Sequence, residues 1–127
     1  MKSKIFNHAA ITIHDINEVE NFYINILGLE IKKQNFISND LAGRIFNVST
    51  PIKVITVGNN EFNLELFINS KCKNNNLNHI CLNCIDRKNL IKKANDNNYT
   101  CIIIKCDPFD MVFIRDKSNN LFEIKQR

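Results

Sequence analysis

A pattern in the first half of this chain recurs 71 residues later, and that repetition limits the fold more than any other feature. His8 is followed seven positions on by Asp15, and His79 seven positions on by Asp86. Each His opens an apolar stretch, Ala9-Ala10-Ile11-Thr12-Ile13 and Ile80-Cys81-Leu82-Asn83-Cys84. Both have the alternation and β-branched content of half-buried strands. Each Asp reads as the cap of a helical pattern. Val19, Phe22, Tyr23 and Ile26 fall at i, i+3, i+4 and i+7, with Gly28 as the stop; Leu90, Ile91 and Ala94 mark the second apolar face, and Asn97-Asn98 can take the left-handed stop.

Further strands follow each helix. The first set is Leu29–Ile37, Val54–Val57 and Phe62–Ile68; the second is Thr100–Cys106, Met111–Arg115 and Leu121–Lys125. Turns are expected at Gly58-Asn59-Asn60, Asp107-Pro108-Phe109-Asp110 and Lys117-Ser118-Asn119-Asn120. The 127 residues therefore read as a single α+β domain of two βαβββ modules, 1–70 and 77–127, joined by a connector over 71–76. The segment Ser38–Pro51 is expected to hold a short strand around Ile45–Val48 or a loop over the site.

Composition removes several function classes. No stretch approaches the ~18–20 apolar residues of a membrane-spanning helix, and the start of the chain lacks the apolar core of a signal peptide. The net charge of +4 is modest, and its basic doublets are not interleaved with aromatics as a nucleic-acid groove requires. Neither a membrane nor a nucleic-acid partner is expected. Five scattered Cys, an odd number, fit a reducing cytoplasm. Cys81 and Cys84 form a C-x-x-C, but a strand points them to opposite faces, against a zinc knuckle.

The same alternation sorts the polar residues. His8, Ala10, Thr12 and His14 share one face of the first strand, and His79, Cys81 and Asn83 one face of the fifth. In Leu64-Glu65-Leu66 and Phe122-Glu123-Ile124 each acid looks away from two core-facing neighbours, toward solvent or a cation. Singly, such a His is usually a rim or core residue and such a Glu simply exposed. Their recurrence in equivalent places of two modules points instead to a ligand set of two imidazoles and two carboxylates, suited to Zn²⁺, Ni²⁺, Co²⁺, Fe²⁺ or Mn²⁺.

Four segments then carry a resemblance. The run from His8 to Asp15, Asn21-Phe22-Tyr23 and Leu27-Gly28-Leu29-Glu30 resembles the first module of the vicinal oxygen chelate superfamily of glyoxalase, bleomycin-resistance and extradiol dioxygenase proteins. Phe113 to Glu123 resembles that superfamily's terminal hairpin, with Lys117 and Asn119 in place of its usual Pro and Gly. The resemblance implies a curved mixed sheet around a metal cavity, with His8, Glu65, His79 and Glu123 as metal ligands. Small bacterial glyoxalase I proteins are the nearest type, which implies a lyase acting on a 2-oxoaldehyde hemithioacetal by proton transfer through an enediolate. Glu123 is then the principal base, and Glu65 a ligand and second proton carrier. Short loops favour Ni²⁺ or Co²⁺ over Zn²⁺. Asn69 matches a substrate-binding Asn, whereas Thr12 stands where glutathione-dependent members place an Arg.

Phe46, Phe67 and Leu121 are candidates for an apolar wall and Arg44 for an anionic substrate group, against plainer readings as core and solvated surface. The resemblance also implies a homodimer with shared sites, His8 and Glu65 of one chain meeting His79 and Glu123 of the other. The rival functions are another metal-dependent branch, an epimerase or thiol transferase, and a non-enzymatic protein that binds a small molecule.

Overall fold

A computed structural model describes residues 4–71 and 77–127. Most of the connector, residues 72–76, and the first three residues lie outside the described residues. The chain divides into two compact units, Met1–Lys71 and Cys72–Arg127.

In the first unit the elements run β1 (Ala9–Ile13), α1 (Val19–Ile24), β2 (Glu30–Ile37), α2 (Asn39–Phe46), β3 (Ile52–Gly58) and β4 (Asn63–Ile68). The strands lie in the order β1-β4-β3-β2, with β1 parallel to β4 and the other pairs antiparallel. The second unit repeats this with β5 (His79–Cys84), α3 (Arg87–Asp96), β6 (Cys101–Ile104), β7 (Met111–Arg115) and β8 (Leu121–Gln126), ordered β5-β8-β7-β6. Each unit is thus a four-stranded mixed sheet with a helical crossover, the α+β architecture expected from the repeat.

Alternate residues of the central strands give each sheet a buried apolar face. Ile55, Val57, Leu64 and Leu66 are buried on one face of the first, and the α1 residues Val19, Phe22 and Tyr23, with Ile26 just beyond, are also buried. Val112, Ile114, Phe122 and Ile124 form the matching set in the second. Full burial of each such side chain contributes about 1.5–3 kcal/mol. The helical stretch at Val19–Ile24 is wider than an α-helix: Asn25 N–H donates to the Glu20 carbonyl and Leu27 N–H to the Phe22 carbonyl, both five residues back. Gly28 ends it at φ +71°, and Asn98 after α3 does the same at φ 65°.

Two expectations are corrected. Ser38–Pro51 holds neither a strand nor a loop over most of its length but α2, whose Leu41 N–H is capped by the Ser38 hydroxyl and which ends at left-handed Asn47. Asp15 is not a helix cap. Its carboxylate accepts from Asn17 N–H in a turn, and Glu18 occupies the cap position. Asp86 is a cap, accepting from Asn89 N–H.

Each Glu-bearing strand is launched by a turn built on one side chain. Asn59 Oδ1 accepts from Glu61 and Phe62 N–H ahead of β4. Ahead of β8, buried Asp116 accepts from Ser118 and Asn120 N–H through Oδ1 and from the Asn120 amide through Oδ2, while Asn119 takes φ 70°. Asn119 therefore does what the glycine of similar hairpins does.

Asp116→Ala should lower unfolding free energy by about 1.5–3 kcal/mol in urea denaturation, because it strands buried donors that a charged acceptor satisfies. Gly58→Ala should cost about 1–3 kcal/mol by the same measurement, since the added Cβ meets the Phe62 backbone carbonyl and Asn63 at the hairpin closure.

Candidate metal centre

Strand register decides what faces what. In the first unit Ala10 pairs with Glu65 across the parallel ladder, and His8 lies two residues before Ala10. In the second unit Cys81 pairs with Glu123, and His79 lies two residues before Cys81. The His–Glu relation is therefore the same in both units. His8 Nε2 stands 3.3 Å from Glu65 Oε1, and His79 Nε2 stands 3.7 Å from Glu123 Oε1. The carboxylates are shielded by their sheets, with side chains 24% and 19% exposed, while both imidazoles lie more open.

The other ring nitrogen of each His is engaged. His79 Nδ1 lies 3.1 Å from the Leu77 carbonyl, and His8 Nδ1 lies 2.7 Å from Asn7 Oδ1. A carbonyl oxygen can only accept, so where Nδ1 donates to these oxygens a neutral ring turns the lone pair of Nε2 toward the carboxylate. Lone pair facing anion is favourable only with a proton or a cation between them. Two donors bound at ~2.0–2.2 Å to one ion stand roughly 3–3.5 Å apart, close to the separations seen here. Nitrogen and carboxylate oxygen, with Nδ1 held by an outer carbonyl, is the donor chemistry of a borderline divalent cation. Among the described residues no group of three or more His, Cys, Asp or Glu side chains is gathered closely enough to hold a metal; each unit by itself gathers two.

The remaining candidates separate. Phe46 and Phe67 meet edge to face with ring centroids 5.3 Å apart. Phe67 shares the Glu65 face by alternation and packs with Ala42, Ile52 and Val54, so α2 covers part of that face. Leu121 pairs with His79 and shares its face. Arg44 is exposed, and its guanidinium lies 3.7 Å from Asp40 within α2. Asn69 N–H donates to the Ile13 carbonyl, and its side-chain oxygen accepts from Lys71 N–H, so its amide serves a local turn.

Cys81 lies against Glu123. Partial burial, and next the Glu123 carboxylate, hold its thiol above the ordinary range and therefore protonated at neutral pH. The rings of His79 and Phe113 stand edge to face at 6.4 Å.

The sequence reading missed the acceptors that orient the imidazoles. Asn7 could have been found as a polar neighbour of His8, whereas the Leu77 contact uses backbone and leaves no trace in the residue type. It also missed Thr56, which pairs with Glu65 across β3 and β4 and is buried.

No protein-family profile matches this chain, and no curated protein matches it by sequence. Solved structures match it well. A glyoxalase family protein from Enterococcus faecalis superposes with a TM-score of 0.74 at 19% identity, covering 98% of each chain. The trypanothione-dependent glyoxalase I of Leishmania major gives 0.78 at 19% identity, over 98% of this chain and 87% of that one. A mutant of the fosfomycin resistance protein FosX from Listeria monocytogenes, complexed with Mn(II) and 1S,2S-dihydroxypropylphosphonic acid, gives 0.75 at 15% identity, over 100% and 94%. No helix among the described residues is long and apolar enough to cross a membrane. With its two equivalent four-stranded units and these structural likenesses, the chain has the glyoxalase fold.

Proposed function

We propose that this protein is a metal-dependent lyase of the glyoxalase I type, isomerising the hemithioacetal of a 2-oxoaldehyde by proton transfer. His8, Glu65, His79 and Glu123 are its four metal ligands, two from each unit. The observation that carries this reading is the duplicated His–Glu pair, with each Nδ1 held by a carbonyl oxygen and each Nε2 turned to a carboxylate. The fold likeness supports it, since proteins of this fold include a glyoxalase I and a Mn(II)-bound FosX.

When bound, a divalent ion supplies Lewis-acid polarisation of adjacent substrate oxygens, which acidifies the neighbouring C–H bond. The chain's own residues do the rest. Glu123 takes the proton from carbon and returns it to the adjacent carbon. Its carboxylate is partly screened from water, and an edge-on Phe113–His79 pair lies beside it. Glu65 holds its place as ligand and can act as second proton carrier. Phe46 and Phe67 offer an apolar wall on the Glu65 face. Arg44 would serve an anionic substrate group only after leaving Asp40, and Asn69 only after leaving its turn.

The functional unit in this reading is a cytoplasmic homodimer with shared sites. Ni²⁺ or Co²⁺ is preferred as the ion, with Zn²⁺ a weaker activator. Four donors rather than three favour this activity over a FosX-like thiol transfer or an epimerase.

Protein reconstituted in turn with Ni²⁺, Co²⁺ and Zn²⁺ should convert methylglyoxal plus a thiol into the lactate thioester, followed by absorbance of the thioester. Glu123→Gln should lower kcat by about 10²–10⁴-fold, the usual contribution of a positioned general base. Chelation should abolish turnover, and readdition of Ni²⁺ or Co²⁺ should restore it. Metal-loaded protein that is inert toward hemithioacetals of glutathione and of other small thiols would overturn the activity. Turnover of an epoxide with thiol instead would select the transferase.

A further inference from the structure

Thr56 is directly opposite Glu65 in the antiparallel β3–β4 pair, so the two side chains share a face with Cβ atoms about 4.5–5.5 Å apart. Thr56 is 6% exposed, and its hydroxyl has no hydrogen-bond partner. Among the described residues one other buried side-chain polar atom is without a partner, Asn63 Oδ1. Asn63 lies two residues before Glu65 in β4 and therefore on the same face. Asn63 Oδ1 is an acceptor set against Gly58, so the Thr56 hydroxyl is the unpaired donor on the face of Glu65. A buried hydroxyl left unpaired destabilises the folded chain, and a structural threonine at this position would ordinarily find an acceptor.

From this geometry we propose that Thr56 is a positioning residue for Glu65 in the cation-bound protein. Glu65 turns Oε1 to His8 in the structure described here. Once Oε1 binds a divalent cation, the carboxylate presents its second oxygen across the ladder, and the Thr56 hydroxyl donates to it. That hydrogen bond fixes the carboxylate plane and satisfies the orphaned hydroxyl. The role is confined to the first unit, because the residue opposite Glu123 is Phe113, which has no donor. The inference rests on the metal reading above and adds an outer residue to it.

The test uses the full-length protein stripped of metal and titrated with Co²⁺ by calorimetry, alongside the thermal midpoint of the metal-free form. Thr56→Val should weaken Co²⁺ binding by roughly 10–100-fold, the usual effect of losing an outer-sphere partner. The metal-free midpoint should stay level or rise, because the substitution removes an unpaired buried hydroxyl at nearly constant volume. Thr56→Ser should bind Co²⁺ as the unaltered protein does. The Thr56→Val effect should disappear in a Glu65→Gln background, as expected for residues acting as one unit. Binding by Thr56→Val within about twofold of the unaltered protein overturns the positioning role while leaving the metal reading intact. So does a fall in its metal-free midpoint that accounts for the weaker binding. Unaltered protein that takes up no Co²⁺ overturns the metal reading itself, and the positioning role with it.

Discussion

The parallel pairing of first and last strand within each unit is the constraint on which the rest depends. It sets Ala10 against Glu65 and Cys81 against Glu123, and so places each His two residues upstream of the residue facing its acid. A slip of one residue along β4 would turn Glu65 into the face occupied by Leu64 and Leu66 and expose both leucines. The hydrophobic pattern that stabilises the sheet is therefore the same pattern that aims the carboxylate. Burying an unpaired carboxylate costs several kcal/mol, so the register has almost no freedom to drift.

Register alone gives direction, and the turns give position. Asn59 before β4 and Asp116 before β8 each use a side-chain oxygen to gather backbone N–H groups, and each fixes the start of the strand that carries a Glu. Loops built this way move little relative to the strands they join. On the other side of each pair the Nδ1 contacts of His8 and His79 hold the rings with Nε2 turned to the carboxylate. Each His–Glu pair is thus set by backbone geometry, local turns and one hydrogen bond per ring.

Much of this was legible from the residues because period-2 burial is a strong signal. The apolar flanks of Glu65 and Glu123 identify their faces without any knowledge of partners, and Gly28, Asn98 and Asn119 mark left-handed stops where a helix or hairpin must turn. The helix Asn39–Phe46 was harder to see. Ser38 gives a cap signal, and Leu41, Ala42, Ile45 and Phe46 have helical spacing, but Gly43 and the short length weaken the pattern. The wide turns of α1 left no mark in sequence, since Val19, Phe22, Tyr23 and Ile26 suit an ordinary helix equally well. Arg44 was singled out by residue type and Asn69 by its place in the resemblance, and the structure engages each in a local contact instead. Residue type nominates a group for chemistry, but its nearest neighbours decide whether it is free for it.

The duplication is of backbone more than of surroundings. Across the sheets, the row Ala10–Glu65–Thr56–Lys33 in the first unit corresponds to Cys81–Glu123–Phe113–Ile102 in the second. The first row sets a hydroxyl and an ammonium beyond the acid; the second sets an aromatic ring and a branched aliphatic chain. Thr56 sets a hydroxyl on the face of Glu65, whereas Glu123 lies between the Cys81 thiol and the Phe113 ring. Equal register therefore gives the two acids the same direction but different neighbours.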